Sequence, residues 1–162
     1  MLGSFAEALH STGPAPDRAR NLELYGWLIG DWAMDAVVTR PDGSKYAGPG
    51  EIHFGWVLEG RAIQDVWILP GLFHGTTLRV YDPQLDAWHI LWSDPLHQVY
   101  RRQLGRRSGA DIVQTGEDES GLPVRWSFVD IAPDSFRWLG EHSPDRDRWE
   151  LQAEFRVRRV KR

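Results

Sequence analysis

The 162-residue chain is 41% hydrophobic and 26% charged, with a net charge of −4, the profile of one globular domain rather than of a disordered or nucleic-acid-binding chain. It has no cysteine, which excludes disulfides, a thiol nucleophile and Cys-ligated zinc or iron–sulfur sites. No apolar run reaches the length of a secretory-signal core or a membrane span, so the chain reads as cytoplasmic, with neither nucleic acid nor membrane as a partner.

Residues 4–10 predict a short helix, ended by Gly13, Pro14 and Pro16. A second helical stretch follows from Pro16 to Leu28, where Leu22, Tyr25 and Trp27 or Leu28 recur at helical spacing. From Gly30 onward the pattern changes to short alternating or apolar runs, separated by turn chemistry every 8–12 residues or so. Ten strands are predicted, near 31–40, 50–59, 61–69, 74–82, 86–93, 97–104, 110–116, 123–131, 135–142 and 148–159. Pro41-Asp42-Gly43-Ser44, Glu59-Gly60, Asp82-Pro83, Asp94-Pro95 and Pro133-Asp134 supply hairpin turns too short for a parallel crossover. The expected fold is all-β: a closed antiparallel up-and-down barrel over residues 30–162, capped by a helical segment over residues 1–29, within one domain.

Alternation assigns faces where it is clean. Trp149, Leu151, Ala153, Phe155 and Val157 form the expected inner face of the last strand, and Trp32, Met34, Ala36 and Val38 that of the first. In 61–69 the two faces, Ile63, Asp65 and Trp67 against Ala62, Gln64, Val66 and Ile68, leave the inward side open. The strand at 97–104 is open in the same way.

Nine tryptophans are the most distinctive feature of the composition. Each brings a large apolar body and an indole N–H that wants a partner. Beyond about eight strands, side chains no longer fill a barrel, so an aromatic-walled cavity is expected. Phe54, Trp56, Trp67, Arg79, Trp92, Tyr100, Trp126 and Trp138 are the candidate ligand-binding residues.

Gly30-Asp31-Trp32 opens the first strand just after a helix, and Phe155-Arg156-Val157-Arg158-Arg159 closes the last. Leu58-Glu59-Gly60-Arg61, Tyr81-Asp82-Pro83 with a following Trp88, and Glu154 stand between or beside them in order. In these segments the chain resembles the calycin barrels, the lipocalins and fatty-acid-binding proteins, and more narrowly the uncharacterised bacterial lipocalin-like families. The resemblance implies a barrel in which Trp32 is covered by an arginine of the last strand, Arg159 by preference and Arg158 in reserve. The haem-binding relatives use a histidine near the C-terminal strand. Residues 148–162 contain none, which argues against haem held in that manner.

Chemistry is less legible. Five of the six histidines, His53, His74, His89, His97 and His142, fall in the barrel region without the spacing of a metal motif, so no metal or other cofactor is expected. Asp65, if inward among tryptophans, would be a proton-transfer group, and His142 is the best polar end group on the wall of Phe136 and Trp138. Arg79 would anchor an anionic ligand, or pair with Asp65 or Glu141, or lie on the surface. The basic segments from Tyr100 to Arg107 and Arg156 to Arg162 read as solvated faces and a tail. The expected function is binding of a small apolar or ring-containing ligand by a monomer or homodimer. The alternative is a non-metal cyclase, isomerase or hydratase on the same barrel.

Overall fold

A computed structural model describes residues 3–162; residues 1 and 2 of the expected N-terminal segment lie outside the described residues. Ten antiparallel strands close on themselves: β2 (Gly30–Thr39), β3 (Lys45–Val57), β4 (Ala62–Leu69), β5 (Phe73–Asp82), β6 (Ala87–Asp94), β7 (Val99–Ser108), β8 (Asp111–Glu117), β9 (Pro123–Ala132), β10 (Ser135–His142) and β11 (Glu150–Arg159). Each pairs with its neighbours in sequence, and β11 returns to pair with β2. Closure leaves no long open edge. An eleventh strand, β1 (His10–Ser11), adds to the far end of β3 opposite Trp56 and Val57. Among the described residues, no helix is long and apolar enough to cross a membrane.

Two helices precede the barrel. The first, α1 (Phe5–Leu9), begins with a capping box: Ser4 Oγ accepts from Glu7 N, and Glu7 Oε2 accepts from Ser4 N. A 3-10 turn at Pro16–Arg18 leads into α2 (Ala19–Gly26), shorter than the expected stretch from Pro16 to Leu28. Its buried Leu22 and Tyr25, with Leu28 just beyond, pack into the core cluster of inward barrel residues. Tyr25 meets Trp88 edge-on at 4.9 Å and Phe128 at 6.0 Å. The helix therefore fills one end of a barrel that its own strands are too numerous to fill.

The largest departure from the expected strands is β3, which begins at Lys45 rather than residue 50. Gly48, Pro49 and Gly50 look like turn residues. Here they pair only with β2, because the β3–β4 ladder starts at Glu51. A proline is tolerated where one side of its strand has no ladder to donate to. The last strand departs differently. Gly140 pairs with Ala153 but Glu141 pairs with Leu151, so Gln152 is an extra, bulged residue. The bulge reverses the alternation, and Leu151 (48% exposed) and Trp149 (38% exposed) lie outside, contrary to the inner face expected for both. Arg125 sits 4.2 Å over the Trp149 ring.

At the β3–β4 hairpin, Leu58, Glu59 and Gly60 all have positive φ (54°, 59° and 74°). A Cβ on Gly60 would lie 2.2 Å from the Gly13 carbonyl oxygen, and the Gly60 carbonyl accepts from Ala15 N at 2.9 Å. Gly60→Ala is expected to lower stability by about 2 kcal/mol, above the usual cost of a side chain at positive φ, because backbone must move as well. Chemical denaturation measures the loss, and faster hydrogen exchange at the Ala15 amide locates it.

Candidate ligand-binding site

The inward residues form three levels, set by strand register. At the α2 end lie Leu22, Leu28, Trp32, Trp88, Phe128 and Phe136, all buried. Trp32 Nε1 donates to Leu28 O at 2.7 Å, and the Arg159 guanidinium lies 4.1 Å over the Trp32 ring. Register puts these two residues directly opposite each other on β2 and β11. Arg158 instead points outward to Asp35.

The middle level is polar. Asp65 is fully buried and faces inward, which settles the open parity of β4, while Gln64 on the other face donates to Thr76 Oγ1. Asp65 Oδ2 accepts from Arg79 Nη1, and Oδ1 accepts from Thr77 N at 2.7 Å. The Arg79 guanidinium also lies over the faces of Tyr25, Phe54 and Phe128, at 5.2, 5.6 and 5.7 Å. Burial pushes the Arg79 guanidinium down to about 10, so it remains charged at neutral pH. Burial also pushes the Tyr25 phenol well above its usual range, which keeps its hydroxyl a donor to Gln114 Oε1 at 2.9 Å. Gln114 in turn donates to Gln103 Oε1 at 3.4 Å.

At the end away from α2 lies a pocket of about 330 Å³. Its walls are a closed collar of five rings in mutual contact. Phe73 meets Trp92 at 5.9 Å, Trp92 meets Trp126 at 6.2 Å, and Trp126 meets Trp138 at 5.4 Å. Trp138 stacks on Phe155 at 4.9 Å, and Phe155 returns to Phe73 at 6.4 Å. Trp67 packs against Trp138 and Phe155 from below. Room for Trp92 comes from Gly75, where a Cβ would lie 2.4 Å from the indole ring. Thr77 and Arg79 form the floor, and Asp94, Arg101 and Gln152 stand around the opening. Arg101 pairs with Glu119, and Asp94 Oδ2 holds His97 Nδ1 at 2.9 Å.

Of the candidate ligand-binding residues, Trp67, Arg79, Trp92, Trp126 and Trp138 line this pocket. Phe54 is buried one level below, against Trp67. Trp56 is displaced to the opposite end, against Gly26 of α2, where it borders a separate cleft. Tyr100 faces out, 56% exposed, because β7 turns Val99, Arg101 and Gln103 inward. His142 bonds Glu150 through Nε2 at 3.2 Å and stands outside the pocket, so the two proton-transfer candidates are not brought together. Arg79 takes Asp65 as its partner, and Glu141 pairs with Arg125. Among the described residues, no group of three histidine or carboxylate side chains is arranged to hold a metal ion.

Sequence reasoning missed Phe73, Thr77, Asp94, Arg101 and Gln152 at the pocket. Arg101 was hidden because neither face of Val99 to Gly105 is apolar. Gln152 was hidden by the bulge.

The fold is similar to that in the crystal structure of Rv2717c from M. tuberculosis, with a TM-score of 0.61. Identity is 14%, and the match covers 91% of this chain and 99% of that one. The likeness is one of fold. No protein-family model and no curated protein matches the sequence.

Proposed function

We propose that the protein is a small-molecule-binding barrel of lipocalin-like type that takes an apolar, ring-containing ligand into the aromatic collar. The observation that carries this reading is the pocket of about 330 Å³ walled by Phe73, Trp92, Trp126, Trp138 and Phe155. Its size is at the lower end for small-molecule sites, and its make-up, apolar walls with a few convergent polar groups, is the usual one. The placement of Arg159 over Trp32 supports the calycin reading of the barrel. The proton-transfer alternative draws less support, because both oxygens of Asp65 are already engaged by Arg79 and Thr77.

Titration with two- and three-ring aromatic compounds is expected to quench tryptophan fluorescence saturably with one-to-one stoichiometry. Trp138→Ala removes contacts to three aromatic neighbours, Trp67, Trp126 and Phe155. It is expected to weaken binding at least about tenfold, since each aromatic pair is worth about 0.5–1.5 kcal/mol beyond its area. Native mass spectrometry of freshly purified protein offers a second readout. Absence of saturable quenching across such a series would remove the reading.

A further inference from the structure

Three hydrogen-bond donors on residues at the inner end of the pocket have no partner among the described residues. Trp67 Nε1 and Arg79 Nε, both on pocket-lining residues, are buried without a partner, and so is Gln103 Nε2 in the same polar level. Register places Arg79, Ile90 and Gln103 side by side across β5, β6 and β7. The polar side chains of this level are bonded to other donors instead. Asp65 accepts from Arg79 Nη1 and Thr77 N, Gln103 Oε1 accepts from Gln114, and Gln114 Oε1 accepts from Tyr25. A buried polar group left unmatched is destabilising, so a ligand that supplies an acceptor gains more there than one that does not.

The charges decide what kind of acceptor. Arg79 is balanced by Asp65, and Arg101 by Glu119, while Asp94 adds a carboxylate at the opening. An incoming anion would meet no uncompensated cation and would lose its hydration on entering. A neutral oxygen loses far less.

Resting on the binding reading above, we propose that the ligand is a neutral, fused-ring carbonyl compound, inserted carbonyl-first so that its oxygen accepts from Trp67 Nε1 and Arg79 Nε while its rings lie within the collar. The aromatic walls hold the rings, and the unpartnered donors select for the oxygen. An unsubstituted hydrocarbon would satisfy the walls but leave the donors unmatched. A carboxylate would match the donors but bring an uncompensated charge.

Three naphthalene probes of similar size separate these cases by calorimetry: 2-acetylnaphthalene, 2-ethylnaphthalene and 2-naphthoate. The ketone is expected to bind at least about tenfold more tightly than the carboxylate, in keeping with the cost of burying an unpaired charge. Trp67→Phe keeps an aromatic ring and removes the indole donor. It is expected to weaken the ketone by about three- to tenfold more than it weakens 2-ethylnaphthalene, the difference being the worth of one hydrogen bond. In the unaltered protein, the carbonyl stretch of bound 2-acetylnaphthalene is expected at lower wavenumber than in hexane, a readout that does not depend on the variant folding. Tighter binding of the carboxylate, equal weakening of ketone and hydrocarbon by Trp67→Phe, or a carbonyl stretch at its hexane position would each overturn the carbonyl assignment and leave the binding barrel standing. Failure of all three probes to bind would overturn the binding barrel and the assignment with it.

Discussion

Asp65→Asn is expected to lower the unfolding free energy by about 3–5 kcal/mol, the range for removing one partner of a buried ion pair. In a chain of this length that corresponds to a fall of about 10 °C in melting temperature. The loss comes less from the missing attraction than from what remains. Arg79 is 1% exposed and charged at neutral pH, and without Asp65 its only compensation is the faces of Tyr25, Phe54 and Phe128. Thr77 N also loses its carboxylate acceptor. The pair itself need not be more stable than an apolar filling of the same volume. Asp65→Leu combined with Arg79→Met should therefore recover most of the loss, giving a favourable coupling between the two substitutions in a double-mutant cycle. Urea denaturation of the two single variants and the double variant measures this directly. A single-site loss below about 1 kcal/mol would show that water reaches the pair. The double variant also bears on the pocket: without Arg79 it lacks one of the floor donors, so aromatic quenching should persist while preference for a carbonyl falls.

Strand identity was legible because it rests on period and on turns. Asp82-Pro83, Asp94-Pro95 and Pro133-Asp134 each interrupt an alternating run at a hairpin, and the observed hairpins lie at those positions. Two features hid from that reasoning. The stretch Gly48-Pro49-Gly50 resembles a turn because sequence shows the residues but not that β4 is missing beside them. The bulge at Gln152 leaves no signature in an otherwise regular alternation, so the sequence predicts Trp149 and Leu151 inside, whereas both lie outside.

The site was legible in a weaker sense. Parity separates inward from outward residues, but it does not give height along the barrel. Trp56 and Trp67 illustrate this on one hairpin. The β3–β4 register sets Ile52 opposite Trp67 and Trp56 opposite Ile63, so the two tryptophans lie toward opposite ends of the barrel. One packs on α2 and the other lines the pocket. Height depends on where each hairpin turns, and a shift of two residues there preserves parity while moving a side chain between levels. Asp65 posed the complementary problem. Both faces of Arg61 to Leu69 mix polar and apolar residues, so parity itself stays open, and only the partner Arg79 on the next strand explains why the carboxylate is inside.

Trp32→Ala is expected to cost about 3–5 kcal/mol, comparable to the loss at Asp65 but arising from packing at the opposite end of the barrel from the pocket. Trp32 is 1% exposed and meets Phe136 at 5.0 Å and Trp27 at 6.1 Å, both edge-on. Removing the indole also uncovers one face of Arg159, whose guanidinium lies over that ring and donates to Trp27 O at 2.7 Å and Ile29 O at 2.9 Å. Those two bonds fasten the end of β11 to the segment joining α2 and β2. Arg159→Ala should therefore cost about 2 kcal/mol, part of it the cation–π contact and part the carbonyls left without donors. Arg159→Lys should recover only a fraction, because an ammonium cannot lie flat on the ring while bonding two carbonyls. The Trp32 and Arg159 substitutions should be non-additive by about 0.5–2 kcal/mol, the worth of their shared contact. Strict additivity would mean that Arg159 acts through the backbone carbonyls and Asp134 alone. At temperatures where each variant is still folded, affinity for aromatic probes should stay at the unaltered protein's value, since none of these residues lines the pocket. A parallel loss of binding would instead show that the two ends of the barrel are mechanically coupled through the polar level of Asp65 and Arg79.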